Sequence, residues 1–409
     1  MKKIILIILI SIGFSQSSWS FVGFGETSFT TDPASISLGN SHYFSGSSDN
    51  VSLSSPSSYW QSSLTKLSMV TSFNWTSFSD NPEQFNQNIQ LISFIFPAWE
   101  NTAFSFGLTP QTRVKFSISE ELDLHNSTYL DGITYVNTSS YQTNGGISDF
   151  FISYSAKMTE QFSFGLRWDT QFGLISQKDS VDIYQLVIDN DNEEEVVQAE
   201  YDHTNRILTN KHFSGNSFDF EGRFNINKND FVFSAKIKMP LKVRLNQNIN
   251  GIDQDEQTHL SESVISDYGF GYSFENKKQS GIVFELHRYK QQTGLSDLNL
   301  FKTSIDNCSA MNLGLYRRYN NLITDRWDSF IPRFGIFASV SEKDGIQYWD
   351  KGLTFGFGLE YFKHKNTINL SVEVGTRENW YDELSEEKYI NLTLGLTTGD
   401  KWFKMRKRK

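Results

Sequence analysis

The sequence predicts an all-β protein: a transmembrane antiparallel β-barrel of about 14 strands with an N-terminal hatch in its lumen. Strand-forming aromatic residues are abundant, because 15% of the 409 residues are aromatic, with 35 Phe and 17 Tyr against 7 Pro. Apolar and polar residues alternate over segments longer than the roughly five or six residues usual for strands of soluble proteins. The links between these segments alternate between short and long, as they do in outer-membrane barrels.

Residues 1–20 are expected to be a secretory signal peptide. Lys2 and Lys3 form a charged n-region, residues 4–12 form an apolar core, and "SSWS" offers small residues for cleavage. The apolar core is too short for a membrane-spanning helix and has the length of a signal-peptide h-region. A retained membrane anchor is the alternative. We therefore expect the protein to be exported across the inner membrane.

Residues 63–400 are predicted to form the barrel wall. The clearest strand is "FVFSAKIKMPLKVRLNQN", in which Phe233 and Val243 would face lipid while Lys236 and Arg244 would face a polar lumen. Such sustained alternation is expected of a tilted strand that crosses a bilayer. Leu67, Met69, Phe73 and Trp75 lie on one face of the first predicted strand, and the second, "NIQLISFIF", is nearly apolar on both faces. Similar alternation recurs in "AFSFGLTPQTRVKFSIS", "DFFISYSAKM", "FSFGLRWDTQFGLI", "SFDFEGRFNI", "SVISDYGFGYSF", "GIVFELHRY", "AMNLGLYRRY", "IPRFGIFASV", "GLTFGFGLEYF", "TINLSVEVG" and "YINLTLGLTT".

The lengths of the links predict the orientation of the barrel. Links after even-numbered strands are mostly short, as in "PAWEN", "MTEQ", "NKND", "ENKKQ" and "KHKN". Links after odd-numbered strands are longer, with the extremes near residues 120–145 and 179–211, and "NNLITDRWDSF" is the exception. Short periplasmic turns and long external loops are typical of bacterial outer-membrane barrels. We therefore expect an outer-membrane location with both termini in the periplasm.

Residues 21–62 have a different composition from the wall. They are crowded with Ser and Gly and show no sustained alternation. A flexible linker is one interpretation of such a segment. The other interpretation follows from the size of the barrel, because barrels of more than about eight strands leave a lumen that can hold a plug.

The segment "PASISLGNSHYFSGSSDNVSLSSPSSYWQSSLTKLSM" resembles the N-terminal region of the FadL/TodX-type outer-membrane transporters of long-chain fatty acids and aromatic hydrocarbons. Leu38 and Gly39 match the "LG" of that region, and Asp49 lies in its Ser/Asp stretch. Pro56 matches the proline of the family's Asn-Pro-Ala, within Ser55-Pro56-Ser57. The "DKWF" ending with a basic tail is also similar.

This resemblance implies a fourteen-stranded barrel with residues 21–62 as its hatch, in which Leu38, Gly39 and Pro56 form the hatch motif. It implies passive uptake of a hydrophobic small molecule, of the long-chain fatty acid or hydrocarbon class, with lateral release into the membrane. The alternative is a structural or secretion-machinery partner barrel with no substrate of its own. The expected partners are outer-membrane lipid, lipopolysaccharide and the barrel-insertion machinery.

Pro110 interrupts the third predicted strand. Proline cannot donate to a sheet ladder, so inside a closed wall it must break at least one hydrogen bond. Gly107 and Thr109 flank it and tolerate a bend, and simple alternation would place Phe104 and Val114 on the same lipid face. The family resemblance implies that this strand is kinked to form a lateral gate. Plain irregularity, as at Pro240, is the alternative.

The remaining features exclude several functional classes. The seven histidines show no His-Glu-x-x-His spacing, and no nucleophile elbow is present, so we expect no enzyme and no cofactor. Cys308 is the only cysteine, which rules out an internal disulfide and a cysteine-based metal site. The net charge of −10 argues against a nucleic-acid partner.

Two charged segments are candidate binding sites. Asp189, Asp191 and Glu193 lie in an acidic loop that could bind Ca²⁺ or divalent-bridged lipopolysaccharide, although acidic loops are usually only solvated. No metal site is therefore predicted. Residues 401–409 form a basic tail that is expected to lie in the periplasm near anionic headgroups.

Overall fold

The computed structural model describes residues 26–27, 31–78, 84–119, 128–130, 133–189, 196–262, 264–290, 307–320, 327–343, 346–379 and 382–401. The predicted signal peptide, most of the basic tail, and Asp191 and Glu193 of the acidic loop lie outside these residues. Within the described part of the chain, no helix is long and apolar enough to cross a membrane.

Fourteen antiparallel strands form the wall. They are β1 (Thr65–Phe78), β2 (Gln84–Trp99), β3 (Thr102–Ser119), β4 (Ile133–Lys157), β5 (Phe162–Asp189), β6 (Val196–Ile226), β7 (Asn229–Lys238, continued by Lys242–Ile249), β8 (Val264–Glu275), β9 (Ser280–Lys290), β10 (Asn307–Arg317), β11 (Trp327–Lys343), β12 (Ile346–Tyr361), β13 (Asn366–Asn379) and β14 (Asp382–Asp400). β1 pairs with β14 from Thr65↔Asp400 to Phe78↔Glu387, so the sheet closes on itself. The predicted fold class is confirmed.

The two faces of the wall differ as the alternation predicts. In β9, Val283 and Glu285 are 0% exposed and face inward, whereas Ile282 and Leu286 are 45% and 44% exposed and face outward. An outward band of exposed apolar side chains around a polar interior is the pattern of a barrel embedded in lipid. We refer to the end of the barrel with the tight turns after β2, β4, β6, β8 and β12 as the short-turn end.

Strands β4, β5 and β6 are far longer than a bilayer requires. They contain 25, 28 and 31 residues, whereas a transmembrane strand needs about 9–11. β4 and β5 remain paired from Lys157↔Ser163 at the short-turn end to Thr134↔Leu186 at the other. These three strands therefore project well beyond the membrane band at the end opposite the short turns.

β7 is broken at Pro240, which simple alternation did not predict. Its two halves end at Lys238 and resume at Lys242, and both pair with β6. Before the break Lys236 faces inward and bonds to the inward-facing Asp169; after it, Val243 is buried and Arg244 is exposed. The expectation that Val243 faces lipid and Arg244 the lumen is therefore wrong, because an irregular residue in a strand exchanges its two faces.

Residues 31–62 lie inside the barrel. A short helix, Pro33–Ile36, begins at Asp32, whose carboxylate accepts a hydrogen bond from the amide of Ala34 at 3.0 Å. Burial raises the pKa of Asp32, and the amides of Leu53 and Ala34 offset part of that rise. A 3₁₀ helix, Pro56–Gln61, leads into β1. We call residues 31–62 the hatch.

Candidate functional site: an opening in the wall beside the hatch

The hydrogen-bond ladder between β2 and β3 stops partway along both strands. The pairs run from Trp99↔Thr102 to Ile92↔Leu108, and no pair follows among the described residues. β2 nevertheless extends to Gln84 and stays paired with β1, while β3 extends to Ser119 and stays paired with β4. The wall therefore opens between residues 84–91 and 109–119.

Each edge of this opening carries one inserted residue. In β2 the register with β1 shifts so that Gln90 has no partner, and in β3 the register with β4 shifts so that Gln111 has none. Both side chains bond to polar neighbours: Gln90 Nε2 donates to Ser72 Oγ at 2.7 Å, and Gln171 Nε2 donates to Gln111 Oε1 at 2.9 Å. Two β-bulges at the same level end the ladder, because a bulge bends its strand and disrupts pairing.

Pro110 lies at the point where the next pair would form. Continuing the register, Pro110 would face Gln90, but proline has no N–H to donate to the Gln90 carbonyl. The hydroxyl of Thr109 donates to that carbonyl instead, at 3.1 Å. Gly107 is required nearby, because a Cβ there would lie 2.8 Å from the ring of Phe151. The structure thus brings the three predicted gate residues to the edge of the opening.

The bulge at Gln111 reverses the faces of β3. Thr112 and Val114 are buried on the luminal side, whereas Phe106 and Leu108 point outward. The expectation that Val114 shares the lipid face of Phe104 is therefore wrong, for the same reason as at Pro240.

These reversals build an apolar cluster in the lumen. Val114 and Val243, both turned inward by the irregularities beside prolines, join side chains from β4, β5 and β6. The cluster consists of Val114, Ile147, Ile175, Phe213, Leu241 and Val243. An apolar cluster on the inner face of a barrel is unusual, because the lumen of a transmembrane barrel is normally polar.

A short N-terminal strand, Glu26–Thr27, pairs with the edge of β3 that β2 leaves free. The register is Glu26↔Arg113 and Thr27↔Thr112. These positions lie directly beyond the bulge, so the segment leading into the hatch occupies part of the opening.

Three buried glutamates of the wall bind the hatch. Glu285 accepts hydrogen bonds from the amides of His42 and Tyr43 at 2.6 and 3.0 Å, and from the hydroxyl of Ser41. Glu360 binds the amide and hydroxyl of Ser48 at 3.0 and 2.7 Å. The hydroxyls of two further hatch residues, Ser55 and Ser57, bind Glu221.

Three arginines bind the carbonyl groups of the same segment. Arg223 Nη2 donates to the carbonyl of Tyr43 at 2.8 Å, Arg333 Nε to that of Ser45 at 2.8 Å, and Arg318 Nη1 to that of Ser47 at 3.0 Å. Hydrogen bonds to ionised groups are stronger than neutral ones. Charged side chains of the wall therefore bind both the hydrogen-bond donors and the carbonyl acceptors of the hatch.

The predicted hatch motif packs against glycines of the wall. Gly39 has a φ of +78°, and its amide donates to Thr354 Oγ1 at 2.8 Å. A Cβ on Gly335 would lie 2.0 Å from the Gly39 nitrogen, and one on Gly314 would lie 2.6 Å from the carbonyl oxygen of the buried Leu38. Pro56 is the first residue of the 3₁₀ helix. A Cβ on Gly165 would lie 2.8 Å from the Cβ of Pro56.

The sequence alone does not distinguish the glutamates that bind the hatch from other luminal residues. Glu221, Glu285 and Glu360 each occupy an inward position within an aromatic-rich strand, in "FDFEGRF", "VFELH" and "GLEYF". A carboxylate facing a barrel interior attracts little notice, because luminal positions are expected to be polar.

Binding of a divalent cation by the acidic loop remains a prediction. Asp189 is the last residue of β5, while Asp191 and Glu193 lie outside the described residues. Elsewhere in the described chain, no group of three or more His, Cys, Asp or Glu side chains is placed to hold a metal ion.

A closed fourteen-stranded antiparallel barrel with a hatch in its lumen places this chain in the class of outer-membrane β-barrel folds. Within that class, a family model named BamG matches residues 1–409. The chain belongs to the BamG family. No curated protein sequence matches it.

Solved structures of the same fold are distant in sequence. The monoaromatic hydrocarbon channel CymD aligns with a TM-score of 0.56 and 11% identity, covering 91% of this chain and 98% of that one. The toluene transporter TodX of P. putida aligns with a TM-score of 0.51 and 11% identity, covering 92% and 99%. The resemblance to TodX-type barrels is thus confirmed at the level of the fold.

Proposed function

We propose that this protein is an outer-membrane channel for passive uptake of hydrophobic small molecules, with lateral release into the membrane. The observation that carries the proposal is the opening between β2 and β3 next to an apolar luminal cluster. The short-turn end and both termini would then face the periplasm, and the projecting strands β4 to β6 would face the exterior.

A lateral route suits an apolar solute better than an axial one. The charged groups that bind the hatch occupy the lumen, and each methylene group gains about 0.8 kcal/mol by staying in an apolar environment. A solute that reaches the cluster near Val114 therefore keeps apolar surroundings by leaving sideways through the opening into lipid, whereas an axial path would take it past the charged groups. CymD and TodX are described as a monoaromatic hydrocarbon channel and a toluene transporter, which supports a hydrocarbon as the substrate.

A cross-link across the opening tests this proposal. In a Cys308→Ser background, Gln90→Cys with Thr109→Cys would tie the two edges together, since the Thr109 hydroxyl already contacts the Gln90 carbonyl. Oxidation is expected to abolish uptake of toluene and of a long-chain fatty acid into liposomes, and reduction to restore it.

The matched control places the cross-link where the ladder is already intact. Phe94 and Phe106 form a registered, outward-facing pair of the same two strands. Uptake should be the same before and after oxidation of Phe94→Cys with Phe106→Cys. Equal uptake by the oxidised and reduced forms of the first variant would exclude lateral release.

The projecting strands favour a second candidate, a structural or secretion-machinery partner barrel with no substrate of its own. β5 is 28 residues long, or about 90 Å at about 3.3 Å per residue, so β4 to β6 offer a large surface outside the membrane.

Shortening the projecting sheet separates the two candidates. A variant lacking residues 179–207 removes the tip of the β5–β6 hairpin, whose paired ends are Asp179 and Ile207. If the protein is a partner barrel, this variant should lose stoichiometric co-purification with the secretion machinery while keeping its own heat-modifiable fold. If it is only a channel, it should keep uptake and no partner should be lost.

A further inference from the structure

Five cations face outward on the wall between β3 and β7, in the half of the barrel away from the short turns. They are Arg113 and Lys115 of β3, Lys178 of β5, and Lys242 and Arg244 of β7. Residues that adjoin them in the chain, among them Val114, Gln177 and Val243, are buried on the luminal side, so alternation turns the cations outward. We call these five side chains the outer basic patch.

The outer basic patch begins where the apolar band of the wall ends. At the break in β7 the outward side chains change from Met239, which is 41% exposed, to Lys242 and Arg244. In β3 they change from Leu108, which is 44% exposed, to Arg113. The edge of the outward apolar band of a barrel marks the level of the lipid headgroups. In the orientation proposed above, this edge lies in the outer leaflet, because the short turns face the periplasm.

The wall segments that carry and separate these cations contain neither Asp nor Glu. The segments are residues 111–117, 142–148, 174–178, 208–216 and 242–248. Within the described chain, Arg113, Lys242 and Arg244 form no ion pair with a carboxylate. Because the whole chain has a net charge of −10, this concentration of positive charge is local, and it favours an anionic partner.

Arg113 and Arg244 lie at the two ends of one row of outward positions that crosses five strands. In this row Arg113 pairs with Gly146, Gly146 with Leu174, Leu174 with His212, and His212 with Arg244. Four strand spacings of about 4.8 Å separate the two arginines by about 19 Å. Gly146 lets Arg113 lie flat over β4, since a Cβ there would lie 3.2 Å from Arg113 Nη1.

The surface between the two arginines is apolar. Leu174 and Phe172 of β5 point outward and are 43% and 46% exposed. Arginine binds phosphate through two parallel hydrogen bonds, and exposed apolar side chains favour contact with hydrocarbon. Cations on both sides of an apolar strip therefore fit a molecule with both acyl chains and phosphate groups better than they fit a free phosphate ion.

We propose that the outer basic patch binds the phosphate groups of lipopolysaccharide, with an acyl chain packed over Leu174 and Phe172. Lipopolysaccharide carries several phosphate groups on one molecule, which suits cations spread over about 19 Å better than the single phosphate of a phospholipid does. The inference rests on the orientation given with the proposed function, since lipopolysaccharide occupies the outer leaflet. Arg113 also borders the opening between β2 and β3, so the bound lipid would lie beside that opening.

Native mass spectrometry of the purified barrel in detergent tests the site, with purified lipopolysaccharide as the titrant. Lys242→Gln with Arg244→Gln should weaken binding about thirtyfold, because each cation near an anionic lipid surface contributes about fivefold. Dephosphorylated lipopolysaccharide should bind wild type more weakly than the intact lipid does, and it should not distinguish wild type from this double variant. Phosphatidylglycerol, with one phosphate, should also bind more weakly than lipopolysaccharide.

Lys277→Gln with Lys278→Gln is the matched control, because it removes the same charge from exposed positions in the turn between β8 and β9, at the short-turn end. It should leave binding unchanged. Unweakened binding by Lys242→Gln with Arg244→Gln would overturn the proposal, as would equal affinity for the intact and dephosphorylated lipids or for phosphatidylglycerol. Toluene uptake into liposomes free of lipopolysaccharide is measured separately and should be the same in both double variants, so failure of this site and failure of the channel function can be told apart.

Discussion

Ile92 and Leu108 form the last registered pair between β2 and β3. Immediately beyond them, each strand inserts a glutamine, Gln90 in β2 and Gln111 in β3. Both strands therefore contain a residue that interrupts the ladder. Pro110 prevents the opening from closing by simple strand pairing, because proline offers no N–H to the Gln90 carbonyl.

Replacing Pro110 by valine should partly close the wall. The valine N–H can donate to the Gln90 carbonyl, which now receives only the Thr109 hydroxyl at 3.1 Å. We expect slower hydrocarbon uptake into liposomes and an increase in unfolding free energy of about 1 kcal/mol, the net value of one hydrogen bond. Pro332→Val is the control, since Pro332 lies in the continuous ladder of β11 with β12, away from the opening and from the apolar luminal cluster, and the change should leave uptake unchanged. Unaltered uptake by Pro110→Val would contradict the gate interpretation.

Accessibility at the break in β7 tests the reversal of faces. Val243 is 0% exposed, whereas its neighbour Lys242 is exposed. In a Cys308→Ser background, Lys242→Cys should react rapidly with a charged maleimide, and Val243→Cys should react at least tenfold more slowly. A tenfold ratio of rates is expected if the wall must open locally before Val243→Cys can react and this opening costs only about 1.4 kcal/mol. The opposite order of rates would show that simple alternation continues through Pro240.

Substitution of a wall glycine tests the close contact with the hatch motif. A Cβ on Gly335 would lie 2.0 Å from the Gly39 nitrogen, whereas one on Gly222 would meet nothing closer than 3.5 Å. Gly335→Ala should therefore displace the hatch and lower the unfolding free energy by about 1–3 kcal/mol, the usual cost of overpacking. Gly222→Ala should stay within about 0.5 kcal/mol of wild type. Limited proteolysis within residues 31–62 measures the displacement, and equal cleavage of the two variants would rule out this contact.

Neutralising Glu285 should loosen the hatch. The carboxylate accepts bonds from Ser41, His42 and Tyr43, and a glutamine would direct an N–H₂ group at one of these donors. We expect Glu285→Gln to lower the unfolding free energy by about 1.5–3 kcal/mol. Hydrogen–deuterium exchange of the backbone amides of residues 41–45 should become faster.

The control for this change is Glu160→Gln. Glu160 lies in the turn between β4 and β5 with its side chain 92% exposed, and its pair with Lys157 should contribute little. Unchanged exchange in residues 41–45 of Glu285→Gln would mean that the carboxylate does not hold the hatch.

The sequence by itself determined the class of fold and the number of strands. Alternation is a local property, since successive side chains of a strand point to opposite faces, and a wall between lipid and a polar lumen requires it over a long segment. The same reasoning located Pro110 as a break in the ladder. It also set residues 21–62 apart, because they lack the alternation that a wall needs.

Only the tertiary structure decided which face each residue takes beyond an irregularity. A single inserted residue such as Gln111 reverses every later side chain, and the letters of the sequence do not show which residue a neighbouring strand will leave unpaired. The apolar cluster containing Val114 and Val243 follows from two such reversals. The glutamates that bind the hatch were equally hidden, because Glu221, Glu285 and Glu360 acquire their role only when closure of the barrel brings distant strands around residues 41–57.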